Sequence, residues 1–315
     1  MPQKVALIGA GLVGRGWAIA FARGGCDVTL YDPVPGAAKK TRDAIPSLAG
    51  ELAAVDLLNG HSADAVMARI RVETTMEGAL AGADHVQENA PEDLGVKRPL
   101  WAELDRLAPA GAVLASSTSA ILPSAFSEGL AGRGRCLVAH PINPPYLVPA
   151  VEVVPSPWTE QSAMDRTAAL MRDIGQKPIV MKREIDGFIM NRMQGVLLEE
   201  AFRLVADGYA TAEDVDTGIR DGLGLRWAFM GPFETIDLNA PGGVADYIRR
   251  YQQIYVRLHP SQQRRVDWES VSEQLEAELS GRLPRDQLGE RQTWRDRRLM
   301  ALRAHKRAMD SEGDA

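Results

Sequence analysis

His140 and Glu152 are the two residues in this sequence best suited to moving a proton. The histidine closes a short apolar run, RCLVAH (135–140), and the glutamate lies inside a second one, AVEVV (150–154). Both runs have the composition of buried strands. Between them Pro141, Pro144, Pro145 and Pro149 forbid a helix. If the two strands lie side by side, Glu152 can hold one imidazole nitrogen and leave the other facing a substrate, which is the orienter-and-base arrangement of proton transfer. The competing reading is a satisfied core histidine beside a stray carboxylate, and the pair alone does not exclude it.

A second group of residues has the chemistry of anion binding. The apolar run KVALIG (4–9) leads directly into Gly9-x-Gly11-x-x-Gly14. Trp17, Ala18, Phe21 and Ala22 then recur at helical spacing up to Gly24-Gly25, and CDVTLYD (26–32) closes on Asp32. In a strand, glycine turn, helix, strand and acid of this order, Gly9 permits the tight turn. Gly11 lets the backbone approach a pyrophosphate, Gly14 lets helix and strand pack closely, and the helix N-terminus offers free N–H groups to the phosphates. Asp32, 18 residues after Gly14, is placed to accept hydrogen bonds from the adenosine ribose and to repel a 2'-phosphate, so NAD is expected rather than NADP.

The elements that must position these residues follow in order. One or two helices are expected over 36–71, then strand units at 69–75 and 83–93, a helix at 96–108, and a strand from Gly111 that opens into Ser116, Ser117, Thr118 and Ser119. Alternating strands and helices predict a doubly wound, mostly parallel sheet, in which ligands bind at the carboxyl ends of the strands. The serine cluster and His140 both fall at such ends, although serines there are as readily turn formers. After a helix at about 160–174 and the strand KPIVM (177–181), the chain reads as nearly all helical. The expected organisation is therefore an N-terminal NAD-binding Rossmann domain at 1–185 and an all-α domain at 186–315. In the first long helix, Phe188, Met193, Val196, Leu197 and Leu204 are too apolar for a solvent face, which points to a second core or a homodimer interface. Asn191 occupies its first turn, as a site residue or a helix-end polar group. Arg226, planted among large apolar residues, is either an anion grip or a structural ion pair.

Composition narrows the function. The chain of 315 residues suits two domains, with 45% hydrophobic and 25% charged residues. Its net charge of −6 argues against nucleic acid, and acids interspersed in the basic C-terminal helices make those a solvated or dimer-rim face. No apolar run reaches membrane-spanning length. Cys26 and Cys136 stand alone without metal or redox spacing, so reduced thiols in a cytoplasmic protein are expected, and no metal cluster is found.

Taken together, SSTSAILPS, HPINPPYLVPAVEVVP, GFIMNR and GPFE, in that order, resemble the 3-hydroxyacyl-CoA dehydrogenase superfamily, and within it the lambda-crystallin or L-gulonate 3-dehydrogenase branch. The resemblance runs from Gly9 to about residue 255, with a weaker continuation in WRDRRLMAL (294–302). It implies that His140 takes the proton of a 3-hydroxyl as hydride leaves for the nicotinamide, that Glu152 orients the histidine, and that Ser119 and Asn191 hold the reacting oxygen. It also assigns Glu92 and Lys97 to the nicotinamide half of the cofactor. Ser117 departs from the pattern, since the acyl-CoA enzymes usually carry asparagine there. Those enzymes also present a lysine-rich hairpin after the second strand, whereas residues 43–68 here hold Asp43, Glu51, Asp56 and Asp64 and no Lys or Arg. A small free 3-hydroxy acid such as L-gulonate is therefore expected, with Arg226 pairing its carboxylate. The alternatives are a 3-hydroxyacyl-CoA, L-carnitine held by an aromatic cage drawn from Trp227, Phe229 and Tyr146, or an NAD-binding lens-type protein without useful catalysis.

Overall fold

In the computed structural model, which describes residues 2–313, the strands are β1 (Lys4–Ile8), β2 (Asp27–Tyr31), β3 (Ile70–Val72), β4 (His85–Glu88), β5 (Val113–Ser116), β6 (Cys136–Pro141), β7 (Ala150–Pro155) and β8 (Lys177–Val180). They form one sheet in the order β3-β2-β1-β4-β5-β6-β7-β8. Every pairing is parallel except β6 with β7. The single antiparallel step is made by the proline-rich crossing, which is too short for the helical crossover a parallel pair needs.

Side chains alternate between the two faces of the sheet with the strand period of two. Val5, Leu7, Leu137, Ala139, Val151 and Val153 pack into one buried cluster with Trp17 and Phe21 of the helix Leu12–Arg23. Ala6, Ile8, Val138 and Val154 pack into the other with Trp101, Leu104 and Phe188. Trp17 and Phe21 are fully buried, and each such side chain contributes roughly 2–3 kcal/mol of hydrophobic stabilisation. The same alternation decides where the candidate pair points. His140 and Glu152 have the parity of Val138 and Val154, so both look toward the Phe188 face.

One expectation is corrected. Residues 36–71 form three helices, Ala37–Asp43, Ile45–Ala54 and Ala63–Ala68, rather than one or two; Pro46 starts a new helix at its second position, where a missing N–H costs nothing. The chain forms two compact units, and its last stretch joins the first of them. One compact unit comprises residues 1–191 together with 295–315, and the other 192–294. The reason lies in the last helix, Leu288–Gly313. Its Met300 is 5% exposed within the first unit's core, with Leu299 against it. Arg297 meets Glu51 at 3.5 Å, Arg307 meets Asp56 at 3.3 Å, and Arg303 donates to the Gly175 carbonyl at 3.3 Å. Residues 314 and 315 lie outside the described residues.

The second unit is helical. Thr211 and Asp214 form the expected capping box at the start of the helix Ala212–Thr217. Arg203, 5% exposed, donates to the carbonyls of Gln262 and Arg264 and so ties the helix Met190–Ala206 to the end of Gly243–Gln262. Much of the apolar stripe expected to form a second core or a homodimer interface lies on the surface of the single chain, with Met193 57% and Val196 74% exposed. Among the described residues no helix is long and apolar enough to cross a membrane. Cys26 and Cys136 are both free and buried.

Candidate active site

The glycine turn after β1 shows which of its positions the protein itself requires. Gly9 has φ +99°, and a Cβ there would lie 2.8 Å from the Asn89 carbonyl oxygen. At Gly14 a Cβ would lie 2.1 Å from the Gly9 carbonyl oxygen, so helix and strand close only on a hydrogen. Gly11 is different: a Cβ would meet nothing within 4 Å and its φ of −72° suits any residue. It caps the helix Leu12–Arg23, whose first turn carries no acid and receives no side-chain cap. Open space above an uncapped helix N-terminus is what a pyrophosphate requires. Asp32 follows β2, and its two oxygens accept the Ala10 and Val34 N–H groups at 2.8 and 2.9 Å. It lines a cavity of about 870 Å³ with Val34, Pro35, Arg71 and Thr74.

His140 and Glu152 are direct register partners across β6 and β7, and opposite residues of an antiparallel pair share a face. The imidazole Nδ1 is 2.7 Å from Glu152 Oε2, with the two residues 5% and 0% exposed. The other carboxylate oxygen accepts the backbone N–H groups of Ile189 and Met190 at 2.6 and 2.9 Å, where the helix Met190–Ala206 begins. One carboxylate thus anchors both the base and the helix start that carries Asn191. Burial alone would raise the Glu152 pKa, but the hydrogen bonds from His140, Met190 and Ile189 outweigh it and hold the group below the ordinary value. Charged and fully hydrogen-bonded, Glu152 fixes Nδ1 as the protonated nitrogen and leaves Nε2 as the acceptor. Asn191 Nδ2 donates to the Ser119 backbone carbonyl at 2.7 Å, so the structure brings Ser119, Asn191, Glu152 and His140 into one connected group.

Glu92 and Lys97 sit differently from the cofactor contacts expected of them. Lys97 Nζ lies 2.8 and 2.9 Å from the two oxygens of Glu88, a residue that sequence reasoning did not single out. The side chains are 1% and 0% exposed, which removes Lys97 from the cofactor surface. Ser116 Oγ and Trp101 Nε1 donate to Glu88 Oε2 at 2.6 and 3.1 Å, and the Ala90 N–H donates to Oε1 at 2.5 Å. Glu92 turns toward the serine cluster, where its Oε1 accepts from the backbone of residues 119–121. Ser117, the departure from the acyl-CoA pattern, accepts from Trp17 Nε1 at 3.0 Å and Gln87 Nε2 at 2.7 Å and donates to Asn89 Oδ1 at 2.8 Å. Arg226 stands on the short helix Gly224–Trp227 of the second unit. Tyr146 is 2% exposed and packed in the first unit's core, so it is no member of an aromatic cage.

A dinucleotide turn at one strand end and an oriented histidine at another, on one sheet, define an NAD-dependent dehydrogenase. Residues 4–185 match the 3-hydroxyacyl-CoA dehydrogenase NAD-binding domain and residues 187–279 the C-terminal domain of the same enzymes; the chain belongs to the 3-hydroxyacyl-CoA dehydrogenase family. It is 42% identical over 308 residues to the lambda-crystallin homolog of Bos taurus, covering 96% of this chain and 95% of that protein. It is 40% identical over 294 residues to the L-carnitine dehydrogenase of Streptomyces griseus subsp. griseus, covering 92% of this chain and 87% of that one. Among solved structures it resembles an NAD-dependent dehydrogenase of 5-formyl-3-hydroxy-2-methylpyridine 4-carboxylic acid, with TM-score 0.82, 28% identity and coverage of 96% and 98%.

Proposed function

We propose that the protein oxidises the 3-hydroxyl of a small free 3-hydroxy acid, L-gulonate or a close relative, to the 3-keto acid. The observation that carries this reading is the buried His140–Glu152 pair, 2.7 Å apart, at the carboxyl end of the sheet. NAD, when bound along Gly9, Gly11, Gly14 and Asp32, supplies the hydride acceptor. His140 Nε2 takes the hydroxyl proton, and the imidazolium that forms is stabilised by Glu152, which keeps its charge through the Ile189 and Met190 N–H groups. The Ser119 hydroxyl and the Asn191 amide stand by to hold the substrate oxygen, the second while also bracing the Ser119 carbonyl. A protein that only bound NAD would need none of this group.

The preference for a free acid has two supports. Residues 43–68 offer no Lys or Arg to phosphates. The cations near them, Arg297 and Arg307, come from the chain's own last helix and are engaged with Glu51 and Asp56, so the face is balanced rather than acidic. Charge repulsion of coenzyme A is thereby weakened as an argument, and the lack of an available base remains. The second support is the 40% identity to an enzyme of L-carnitine, itself a free 3-hydroxy acid, which also makes L-carnitine the second reading. Arg226 is the residue we assign to the substrate carboxylate. The exposed Val196, Phe233 and Leu238 of the second unit favour a homodimer, which sedimentation tests.

The test is NADH formation by the purified protein with L-gulonate, L-3-hydroxybutyrate, L-carnitine and 3-hydroxybutyryl-CoA. Turnover of a free acid over the thioester is expected, with Arg226→Met raising KM for the acid by about 10–100-fold, the worth of a charge-assisted hydrogen bond. Preference for the thioester overturns the reading.

A further inference from the structure

We propose that Glu92 is a positioning residue for Ser119, acting on the turn 118–121 rather than on the cofactor. This rests on the reading of Ser119 as a residue that holds the substrate oxygen. Glu92 Oε1 accepts the N–H groups of Ser119, Ala120 and Ile121 at 3.0, 2.9 and 3.3 Å, and the Thr118 hydroxyl donates to the same oxygen. Thr118 Oγ1 in turn accepts the Ile121 N–H at 3.0 Å, which closes the turn on itself. Successive N–H groups converging on one carboxylate form an anion nest, and the anion here belongs to the chain. At the other side of the same residue, the Ser119 carbonyl is held by Asn191 at 2.7 Å. Both backbone polar groups of Ser119 are therefore fixed by side chains, and with them the direction of its Cα–Cβ bond, from which the hydroxyl reaches out.

Burial, which would raise the Glu92 pKa, is outweighed by the hydrogen bonds from Thr118 and Ala120 and by the Lys97 charge, so the clamp is anionic at neutral pH. Ser119 and Ala120 are exposed, and water can replace the carboxylate on their N–H groups. Loss of Glu92 then loosens the turn without unfolding the protein, and an error of about 1 Å in a positioned group can cost on the order of 100-fold in rate.

The experiment compares Glu92→Ala, Glu92→Gln, Ser119→Ala and the double variant Glu92→Ala/Ser119→Ala. It reads NADH affinity, kcat and KM for the best free acid, and amide hydrogen exchange across residues 118–121. We expect Glu92→Ala to exchange faster at 118–121 and to lose about 10–100-fold in kcat, with NADH affinity held within about twofold. Glu92→Gln, which keeps an accepting oxygen, should recover part of the loss. Because Glu92 acts through Ser119, its removal in the Ser119→Ala background should cost less than about threefold. Weakened NADH binding with unchanged exchange would overturn the proposal in favour of a cofactor contact, and an additive double variant would overturn the route through Ser119. If no acid is turned over by the unaltered protein, the proposed function fails, while exchange and NADH affinity still decide whether Glu92 clamps the turn.

Discussion

Lys97→Met separates a buried structural lysine from one that serves the cofactor. In the structure the ammonium lies 2.8 and 2.9 Å from the Glu88 oxygens, with both side chains at most 1% exposed. At an effective dielectric of 20 the gross attraction at that separation is about 6 kcal/mol, much of it offset by the desolvation of both groups. Methionine fills nearly the same volume but leaves the Glu88 charge buried without its partner, which typically costs about 3–5 kcal/mol. For a unit of this size each kcal/mol shifts Tm by roughly 2–4 °C, so a fall of about 10 °C is expected. The double variant Glu88→Gln/Lys97→Met should regain part of it, because the amide oxygen still accepts from Ser116 and Trp101, which lie 2.6 and 3.1 Å from the carboxylate. Urea and thermal unfolding followed by near-UV circular dichroism, with NADH affinity measured alongside, decide the matter. A loss below about 1 kcal/mol accompanied by weaker NADH binding would refute the reasoning and return Lys97 to the cofactor.

Two further outcomes follow from the same geometry. His85 is 2% exposed, and burial holds its pKa near 4 rather than 6.5. The unfolded chain therefore binds the extra proton between those values and stability falls as pH drops through that window, by about 3 kcal/mol at 1.36 kcal/mol per pH unit; His85→Gln should flatten this dependence in urea titrations from pH 7 to about pH 4, and an unaltered slope would clear His85 of the effect. Gly11→Ala should keep Tm within about 1–2 °C, as an unstrained surface change does, yet lose NADH affinity. Gly14→Ala should lose stability as well, since its Cβ would lie 2.1 Å from the Gly9 carbonyl oxygen; equal stability of the two variants would contradict the division of roles.

The residues legible in the sequence were those whose types break a local pattern. Glycines at 9, 11 and 14 interrupt an apolar run, and His140 and Glu152 interrupt strands, so each announces a requirement that packing does not explain. The register that makes the last two partners was only conditional, because a strand pair needs a topology and the sequence supplies a periodicity. Lys97 reads like any lysine of an amphipathic helix, and its burial depends on Glu88, nine residues earlier and on another element. The Ile189 and Met190 contribution is made by backbone N–H groups, which carry no sequence signal. The return of the last helix to the first unit turns on Met300 and Leu299, two apolar residues in a run of arginines. Family likeness supplied the proposed roles of the site residues; at Lys97 the position in the motif is kept while the side chain is buried against Glu88.

The most direct test of the account is the rate of NADH formation from the best free 3-hydroxy acid by His140→Gln beside the unaltered protein, with NADH affinity measured for both. A loss of about 100-fold or more in kcat, the range of general base catalysis, with NADH affinity unchanged is the predicted result. Comparable turnover by the two proteins would contradict the role of His140 and, with it, the assignment built on the β6–β7 pair.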